Sequence, residues 1–311
     1  MQQETRPRAV ISLGTNSTRL LIVRDALAEG VEQLERASVG TRLGEGLREH
    51  GALAEEAMNR TLDAIAGFME RVRSSNAEVS CIATSAMRRA SNAPDFVRRV
   101  QDITGASLEI LEGRQEAQDS FTGATYGVTE GGAARLAVID VGGGSTECAV
   151  GRAGTLEDAA SLEVGAVRLA ERFPATLGAS PTETAISEGQ NARQYAATMT
   201  RDFARYAPVD EAIAVGGTPL TLGAIAWAGN VDDASGKILS RNDIDALIDR
   251  MLRLPLEERR RMPGMLAQRA DILAAGAIIL SEALCALQVE AVTLQANDLL
   301  LGYLLRTRPT G

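Results

Sequence analysis

The feature that most constrains the fold is an apolar segment ending in a glycine turn, which occurs twice. Residues 9–13 are apolar except for one serine and are followed by Gly-Thr-Asn-Ser at 14–17. Residues 136–140 and the Gly-Gly-Gly-Ser turn at 142–145 repeat this order, and a further apolar segment follows each turn. Each copy predicts two strands joined by a tight turn. The recurrence predicts two related domains that arose by duplication.

Strand and helix patterns alternate over the rest of the chain. Strands are predicted over 31–39, 79–83, 107–111, near 161–164, 212–215 and 291–294, and helices over 53–74, 94–104, 116–126, 241–254, 269–287 and the last residues. This alternation predicts an α/β protein with covered sheets. Thr129-Glu130-Gly131-Gly132-Ala133 is typical of a linker. We therefore expect domains over 1–128 and 129–311, with the last helix packing back on the first domain.

The composition argues against several classes of partner. The 311 residues are 45% hydrophobic and 23% charged, as in globular proteins, but only 3% are aromatic, which disfavours base stacking. With a net charge of -9, a polyanion must be met by local positive groups and a metal ion. No apolar stretch is long enough to span a membrane. We expect a cytoplasmic protein that binds neither nucleic acid nor membranes.

Cysteine and histidine are too sparse for several kinds of site. Cys81, Cys148 and Cys285 are isolated and lie in apolar stretches, which predicts buried thiols in a reducing compartment. His50 is the only histidine, so neither a histidine-rich metal site nor a serine, histidine and aspartate triad is available.

The second glycine turn can bind an anion. Consecutive glycines let backbone amides converge on one point, and Asp140 at the end of the preceding strand can hold Mg²⁺. Taken alone, the turn also fits a simple hairpin with an incidental acid. The matching turn at 14–17 and a third, Val215-Gly216-Gly217-Thr218-Pro219, favour a phosphate clamp. This set resembles the actin, sugar kinase and acetate kinase fold, which implies two ribonuclease-H-like α/β domains facing across a cleft.

Several longer motifs make the resemblance specific. They agree in residues, order and spacing with the exopolyphosphatase and guanosine pentaphosphate phosphatase family, and the chain is identified as a member of it. The motifs are Ile11-Ser12-Leu13-Gly14-Thr15-Asn16-Ser17-Thr18-Arg19, Ala83-Thr84-Ser85-Ala86-Met87-Arg88, Glu112-Gly113-Arg114-Gln115-Glu116-Ala117, Asp140-Val141-Gly142-Gly143-Gly144-Ser145-Thr146-Glu147, Glu163-Val164-Gly165-Ala166-Val167-Arg168, Val215-Gly216-Gly217-Thr218 and Arg269-Ala270-Asp271.

The resemblance implies a role for each matching residue. Glu116 corresponds to the catalytic glutamate that orients or deprotonates the attacking water, and Arg88 to an arginine that reaches the phosphate. Asp140 and Glu147 correspond to the acidic residues around Mg²⁺. The implied phosphate-binding residues are Gly14, Thr15, Asn16, Ser17, Gly142, Gly143, Gly144, Ser145, Gly216, Gly217 and Thr218. Arg19, Arg168 and Arg269 fit either ligand contacts or salt bridges.

The chain departs from the family pattern at three positions. Ser12 stands where an aspartate usually ends the first strand, Arg89 replaces an aspartate, and Gln115 replaces the first member of an acidic pair. The chain also ends soon after Tyr303, without the histidine- and aspartate-rich extension of long members. Catalytic competence is therefore a separate question from family membership.

The resemblance leaves more than one function open. The first is Mg²⁺-dependent hydrolysis of terminal phosphate from inorganic polyphosphate, with pppGpp as a competing substrate. The second is a sensor that binds polyphosphate or guanosine penta- or tetraphosphate without cleaving it, which Ser12 favours. A kinase or chaperone ATPase would need an adenosine pocket that the sequence does not reveal. Family resemblance also implies a homodimer.

Restoring the family aspartate tests the first two functions. We expect wild-type hydrolysis to be slow, and Ser12→Asp to lower the Mg²⁺ requirement and raise the rate by about 10- to 100-fold, if the residue acts as an outer metal partner. Mg²⁺ titrations of polyphosphate hydrolysis by both proteins check this. Absence of turnover in both would favour the sensor, and equal turnover would place residue 12 outside the metal site.

Overall fold

A computed structural model describes residues 6–26, 30–128, 132–178 and 183–308. The chain divides into two compact units. The first comprises residues up to Glu112 together with the closing segment from Tyr303, and the second comprises Gly113–Gly302. No helix of the described ranges is long and apolar enough to cross a membrane.

The first unit is built on a five-stranded sheet in the order β3-β2-β1-β4-β5. Its strands are β1 (Arg8–Leu13), β2 (Thr18–Ala26), β3 (Gly30–Val39), β4 (Glu78–Ala83) and β5 (Leu108–Ile110). The first three strands pair in antiparallel fashion, and β4 and β5 add in parallel. Its helices are α1 (Leu47–His50), α2 (Glu55–Ser74), α3 (Ser85–Arg89) and α4 (Ala93–Thr104).

Alternate side chains of β1 lie on the same face of the sheet, and helices cover the face that carries Ile11 and Leu13. Ile11 and Leu13 share one core cluster with Ile65 and Phe68 of α2 and Phe96 of α4. The closing segment belongs to the same unit. There the Tyr303 hydroxyl donates to Glu109 at 3.1 Å, and an Arg8 guanidinium nitrogen donates to the Leu304 carbonyl at 2.6 Å.

The second unit is built on a six-stranded sheet in the order β10-β11-β9-β6-β7-β8. Its strands are β6 (Leu136–Val141), β7 (Thr146–Arg152), β8 (Thr155–Leu162), β9 (Glu211–Val215), β10 (Ile238–Ser240) and β11 (Ala291–Gln295). Its α-helices are α5 (Gly113–Ala124), α6 (Ala166–Arg172), α7 (Glu183–Thr200), α8 (Gly217–Ala226), α9 (Arg241–Arg253), α10 (Leu256–Arg260) and α11 (Leu273–Ala286), and α12 (Leu299–Arg306) begins in this unit.

The two sheets share one topology. In each, the first three strands pair in antiparallel fashion, and two parallel strands then extend the sheet from the first strand outward. Among the strands of the described residues, the antiparallel edge strand β10 alone lacks a counterpart in the first unit. The predicted ribonuclease-H-like fold of two α/β domains is confirmed. The facing of the two domains across a cleft stays a prediction.

The division between the units lies earlier in the chain than the expected boundary between 128 and 129. Helix α5 belongs to the second unit because Ala117 and Phe121 pack with Leu136, Val138 and Ala149 of the second sheet. Thr129, Glu130 and Gly131 of the expected linker lie outside the described residues.

Two expectations about single elements and residues need correction. The predicted strand near 161–164 is β8, which begins at Thr155, directly after a two-residue turn from β7. Cys81 and Cys148 are buried as expected, but Cys285 is exposed, because it lies on the solvent side of the last turn of α11. Apolar sequence neighbours predicted its burial incorrectly.

Two glycines let α5 and the start of α12 approach closely. A Cβ added at Gly302 would lie 1.7 Å from the Asp119 carbonyl oxygen, and one added at Gly123 would lie 2.1 Å from that of Asp298. Both contacts are with backbone, so no side-chain rotation can relieve them. This contact fixes the position of the helix that carries Glu116.

We expect Gly302→Ala to destabilise the protein by about 1–3 kcal/mol, because the backbones must separate to admit the methyl group. Urea unfolding measures the change. Gly67→Ala in α2 is the matched control, since nothing lies within 4 Å of its added Cβ and the substitution should stabilise by about 0.4–1 kcal/mol. Equal stability of the two variants would contradict the account.

Candidate active site

The glycine turn of the first unit is closed by backbone hydrogen bonds. The Gly14 amide donates to the Ser17 carbonyl at 3.0 Å. The loop after β3 then packs on the turn: the Arg42 amide donates to the Asn16 carbonyl and the Gly44 amide to the Thr15 carbonyl, both at 2.9 Å. The turn is therefore held by its own hydrogen bond and by two hydrogen bonds from the loop after β3.

Asn16 carries a buried side-chain oxygen without a hydrogen-bond partner. The residue is 5% exposed, its amide nitrogen donates to the Ser17 hydroxyl at 3.1 Å, and its Oδ1 atom has no hydrogen-bond partner. A 180° rotation of the amide would present the nitrogen instead, with the Ser17 hydroxyl donating to Oδ1. In that orientation Asn16 is a donor suited to a phosphate oxygen.

Arg88 lies on a helix that starts beside this turn. The Thr84 amide, directly before α3, donates to the Leu13 carbonyl at 3.3 Å. The half-buried Arg88 guanidinium donates to the Leu111 carbonyl at 2.6 Å, whereas Arg89 is exposed. This contact anchors Arg88 in the first unit, and its contact with phosphate stays a prediction.

The glycine turn of the second unit repeats the first. The Gly142 amide donates to the Ser145 carbonyl at 3.0 Å. Helix α6 supports this turn from behind, since the Ala166 and Val167 amides donate to the Gly142 and Gly143 carbonyls, both at 2.9 Å. The approach is close enough that a Cβ at Gly165 would lie 2.5 Å from the Gly143 carbonyl oxygen.

The third turn lies against the second. Gly216 has a φ of 89°, which favours glycine, and an added Cβ would lie 2.8 Å from Oδ1 of Asp140. The Thr218 hydroxyl donates to the Val141 carbonyl at 3.3 Å. The Arg269 guanidinium packs on Gly217, where a Cβ would come within 2.0 Å of it. Arg269 is thereby placed at this turn.

Three carboxylates accompany these turns in the second unit. Glu116 lies in the first turn of α5 and Glu147 at the start of β7, and they are 6% and 4% exposed. Asp140, near the end of β6, pairs directly with Glu147 across the hairpin. Burial raises the pKa of Glu147 well above its ordinary value, and the charges of Glu116 and Asp140 raise it further.

The structure thus brings the implied site residues together in two groups. The second unit holds Glu116, Asp140, Glu147, Gly142, Gly143, Gly144, Ser145, Gly216, Gly217, Thr218 and Arg269, and the first holds Gly14, Thr15, Asn16, Ser17, Arg19 and Arg88. Arg168 forms a salt bridge with Glu163 and donates to the Glu163 carbonyl at 3.1 Å. That ion pair fits the structural alternative for Arg168.

The pairing registers align the two hairpins residue by residue. Asp140 pairs with Glu147 in the second unit, and Ser12 pairs with Arg19 at the corresponding positions of the first. Ser12 is 1% exposed in the middle of its sheet. The family departure at Ser12 therefore falls on the counterpart of Asp140.

Sequence reasoning missed residues that support the site. The Ser161 hydroxyl donates to Glu147 at 2.7 Å, and the Ser120 hydroxyl donates to Asp140 at 3.2 Å. It also missed the loop over 40–46, in which three glycines among seven residues are the available signal. Isolated serines offer no such signal, because their partners come from other elements.

The glycine turn recurs in two α/β units of one topology, and in the second unit carboxylates border it, an arrangement that suits a phosphate group and a divalent cation and is typical of a phosphohydrolase. The chain belongs to the Ppx/GppA phosphatase family, whose sequence model matches residues 21–309. The family resemblance drawn from the motifs is confirmed.

Relatives match along nearly their whole length. Exopolyphosphatase 2 of Mycobacterium tuberculosis is 33% identical over 316 residues, covering 96% of this chain and 97% of that protein. The crystal structure of an exopolyphosphatase-like protein has a TM-score of 0.86 at 28% identity, covering 96% of this chain and 98% of that chain. A family member from Aquifex aeolicus has a TM-score of 0.78 at 26% identity, with 98% and 99% covered.

We expect Glu147→Gln to stabilise the metal-free protein. Folding raises the pKa of the Glu147 carboxyl above its ordinary value of 4.5. Below that pH the carboxyl is protonated in both the folded and the unfolded state, so it does not affect stability. As the pH rises from there toward the raised pKa, the unfolded state ionises more readily than the folded state, and the fold is increasingly destabilised. Glutamine removes this penalty. The melting temperature should therefore rise near pH 7, by roughly 2–4 °C for each kcal/mol recovered, with little change near pH 4.

Differential scanning fluorimetry without added metal measures this difference. Glu211→Gln is the control, because Glu211 is exposed at the start of β9. A destabilised Glu147→Gln variant at neutral pH would contradict the account.

Proposed function

We propose that the protein is an exopolyphosphatase, which removes the terminal phosphate of inorganic polyphosphate with Mg²⁺. The proposal is carried by two buried carboxylates, Glu116 and Glu147, which lie with the half-buried Asp140 beside the glycine turn at 142–145. The similarity to Exopolyphosphatase 2 of Mycobacterium tuberculosis supports the choice of polyphosphate.

The donor set fits Mg²⁺ when the substrate supplies further oxygens. Three or more His, Cys, Asp or Glu side chains do not form a ready metal centre anywhere in the described ranges. Mg²⁺ is commonly held by one or two carboxylates, waters and substrate phosphates, and Asp140 and Glu147 provide two carboxylates across one hairpin. A bound cation would also offset the repulsion that raises the pKa of Glu147.

When bound, Mg²⁺ would neutralise charge on the phosphate oxygens and draw the polyanion to a protein with a net charge of -9. Asp140 and Glu147 would hold it. The amides of the turn at 142–145 and the N-terminus of α8 would bind phosphate oxygens.

Glu116 would act as the general base. As a water oxygen attacks the terminal phosphorus, the Glu116 carboxylate accepts its proton, and the bond from phosphorus to the bridging oxygen breaks. The products are orthophosphate and a chain one phosphate shorter. The burial of Glu116, together with the close contact between α5 and α12, keeps its carboxylate in a fixed position. In the first unit, the turn at 14–17 and Arg88 provide further groups suited to phosphate oxygens.

Three finer points belong to the same proposal. We propose that pppGpp is a second substrate, because its terminal phosphoanhydride presents the same reacting group. We also propose that the protein acts as a homodimer.

Ser12 favours one alternative, a sensor that binds the same ligands and cleaves them slowly or not at all.

We expect Glu116→Gln to lower phosphate release from polyphosphate by about 10²- to 10⁴-fold, because the amide cannot accept the proton. Binding of the ligand should be retained, since the base acts in the transition state. Phosphate release and equilibrium binding of fluorescent polyphosphate, both with Mg²⁺, measure the two effects. Chelation of Mg²⁺ with EDTA should abolish release.

Glu112→Gln is the matched control, because it is the same substitution at an exposed position directly before α5. Its turnover should equal that of the wild type. Equal losses of binding and rate in Glu116→Gln would instead assign Glu116 a structural role.

A further inference from the structure

Serine hydroxyls contact both carboxylates that border the second glycine turn. Ser120 donates to Oδ2 of Asp140 at 3.2 Å, Ser161 donates to Oε1 of Glu147 at 2.7 Å, and Ser145 also donates to Glu147. The three serines come from α5, β8 and the turn itself. No single element therefore fixes both carboxylates.

Burial makes the Ser120 contact hard to replace. Ser120 is 2% exposed, so water has little access to take over its hydrogen bond. The other Asp140 oxygen, Oδ1, lies against the backbone of Gly216, at 2.8 Å from the position of an added Cβ. Each oxygen of Asp140 thus has a fixed neighbour, and the plane of the carboxylate is set.

Ser120 also links Asp140 to the helix of the proposed base. It follows Glu116 by four residues on α5, so both side chains lie on the same face of the helix. The hydrogen bond from Ser120 therefore helps to set the position of α5 relative to β6. A shift of the helix would change the orientation of Asp140 and the position of Glu116 together.

We propose that Ser120 is a positioning residue for Asp140, and that Ser161 has the same part for Glu147, holding the carboxylates in the orientation that binds Mg²⁺. This inference rests on the proposed function. Loss of a hydrogen bond to a metal-binding side chain commonly costs about 10- to 100-fold in metal affinity. The serine hydroxyls affect Mg²⁺ binding by orienting the two carboxylates.

Mg²⁺ binding without substrate turnover tests the inference. The affinity is measured by calorimetry with Mg²⁺ and by electron paramagnetic resonance with Mn²⁺, each with inorganic phosphate present. We expect Ser120→Ala to weaken binding by about 10-fold or more, and Ser120→Thr, which keeps the hydroxyl, to restore it. Ser161→Ala should weaken binding through Glu147, which makes the test independent of the α5 contact.

Thr122→Ala is the matched control on the same helix, because the Thr122 hydroxyl donates only to the Gln118 carbonyl, at 3.0 Å. It should bind Mg²⁺ as the wild type does. In hydrolysis, Ser120→Ala should need more Mg²⁺ to reach its maximal rate, with an unchanged KM for polyphosphate at saturating Mg²⁺.

Two negative results of the Mg²⁺-binding measurements would have different meanings. If the wild type binds Mg²⁺ and both alanine variants bind it equally well, the positioning role is overturned while the proposed function stands. If the wild type binds no Mg²⁺, the proposed metal dependence is overturned and this inference with it.

Discussion

The structure of the second unit depends on the burial of the Glu147 carboxylate, to which the charges of Glu116 and Asp140 add repulsion. Glu147 is shielded from water beside Glu116 and Asp140, and its raised pKa measures how unfavourable that position is for a charge. Apolar packing of Phe121 against the second sheet holds α5 in place against this repulsion. A divalent cation beside these carboxylates would offset both the cost of burying their charge and their mutual repulsion. Without such a cation, ionised carboxylates at these positions destabilise the fold.

The two hairpins share one backbone geometry but carry different charged residues. Both turns close through the same amide-to-carbonyl bond, from Gly14 to Ser17 and from Gly142 to Ser145, each at 3.0 Å. The paired positions that precede and follow the turns differ in charge, since the second unit has two acids and the first has a serine and an arginine. The paired acids that suit a cation in the proposed function therefore occur in the second unit and have no counterpart in the hairpin of the first.

Much of this could be predicted from the sequence, because strands ending in glycine turns combine two local signals, apolar runs and residues free to adopt turn geometry. Asp140, Glu147 and the glycines of the turns lie within such motifs, whereas Glu116 was found through the family motif at 112–117. The assignment of α5 to the second unit could not be predicted, since it depends on Phe121 packing against strands that follow it in the chain. Ser120 and Ser161 were equally hidden, because their importance depends on the register between α5, β6, β7 and β8. Cys285 shows that apolar neighbours do not determine which side of a helix a residue occupies.

We expect the carboxylates beside the turn at 142–145 to form a cation and phosphate site. Anomalous diffraction from a crystal grown with Mn²⁺ and a phosphate analogue tests this expectation. We predict an anomalous peak bonded to Asp140 or Glu147, directly at about 2.1 Å or through one water, with the analogue on the amides of the turn. Mn²⁺ bound only to surface carboxylates, with the analogue elsewhere, would contradict it.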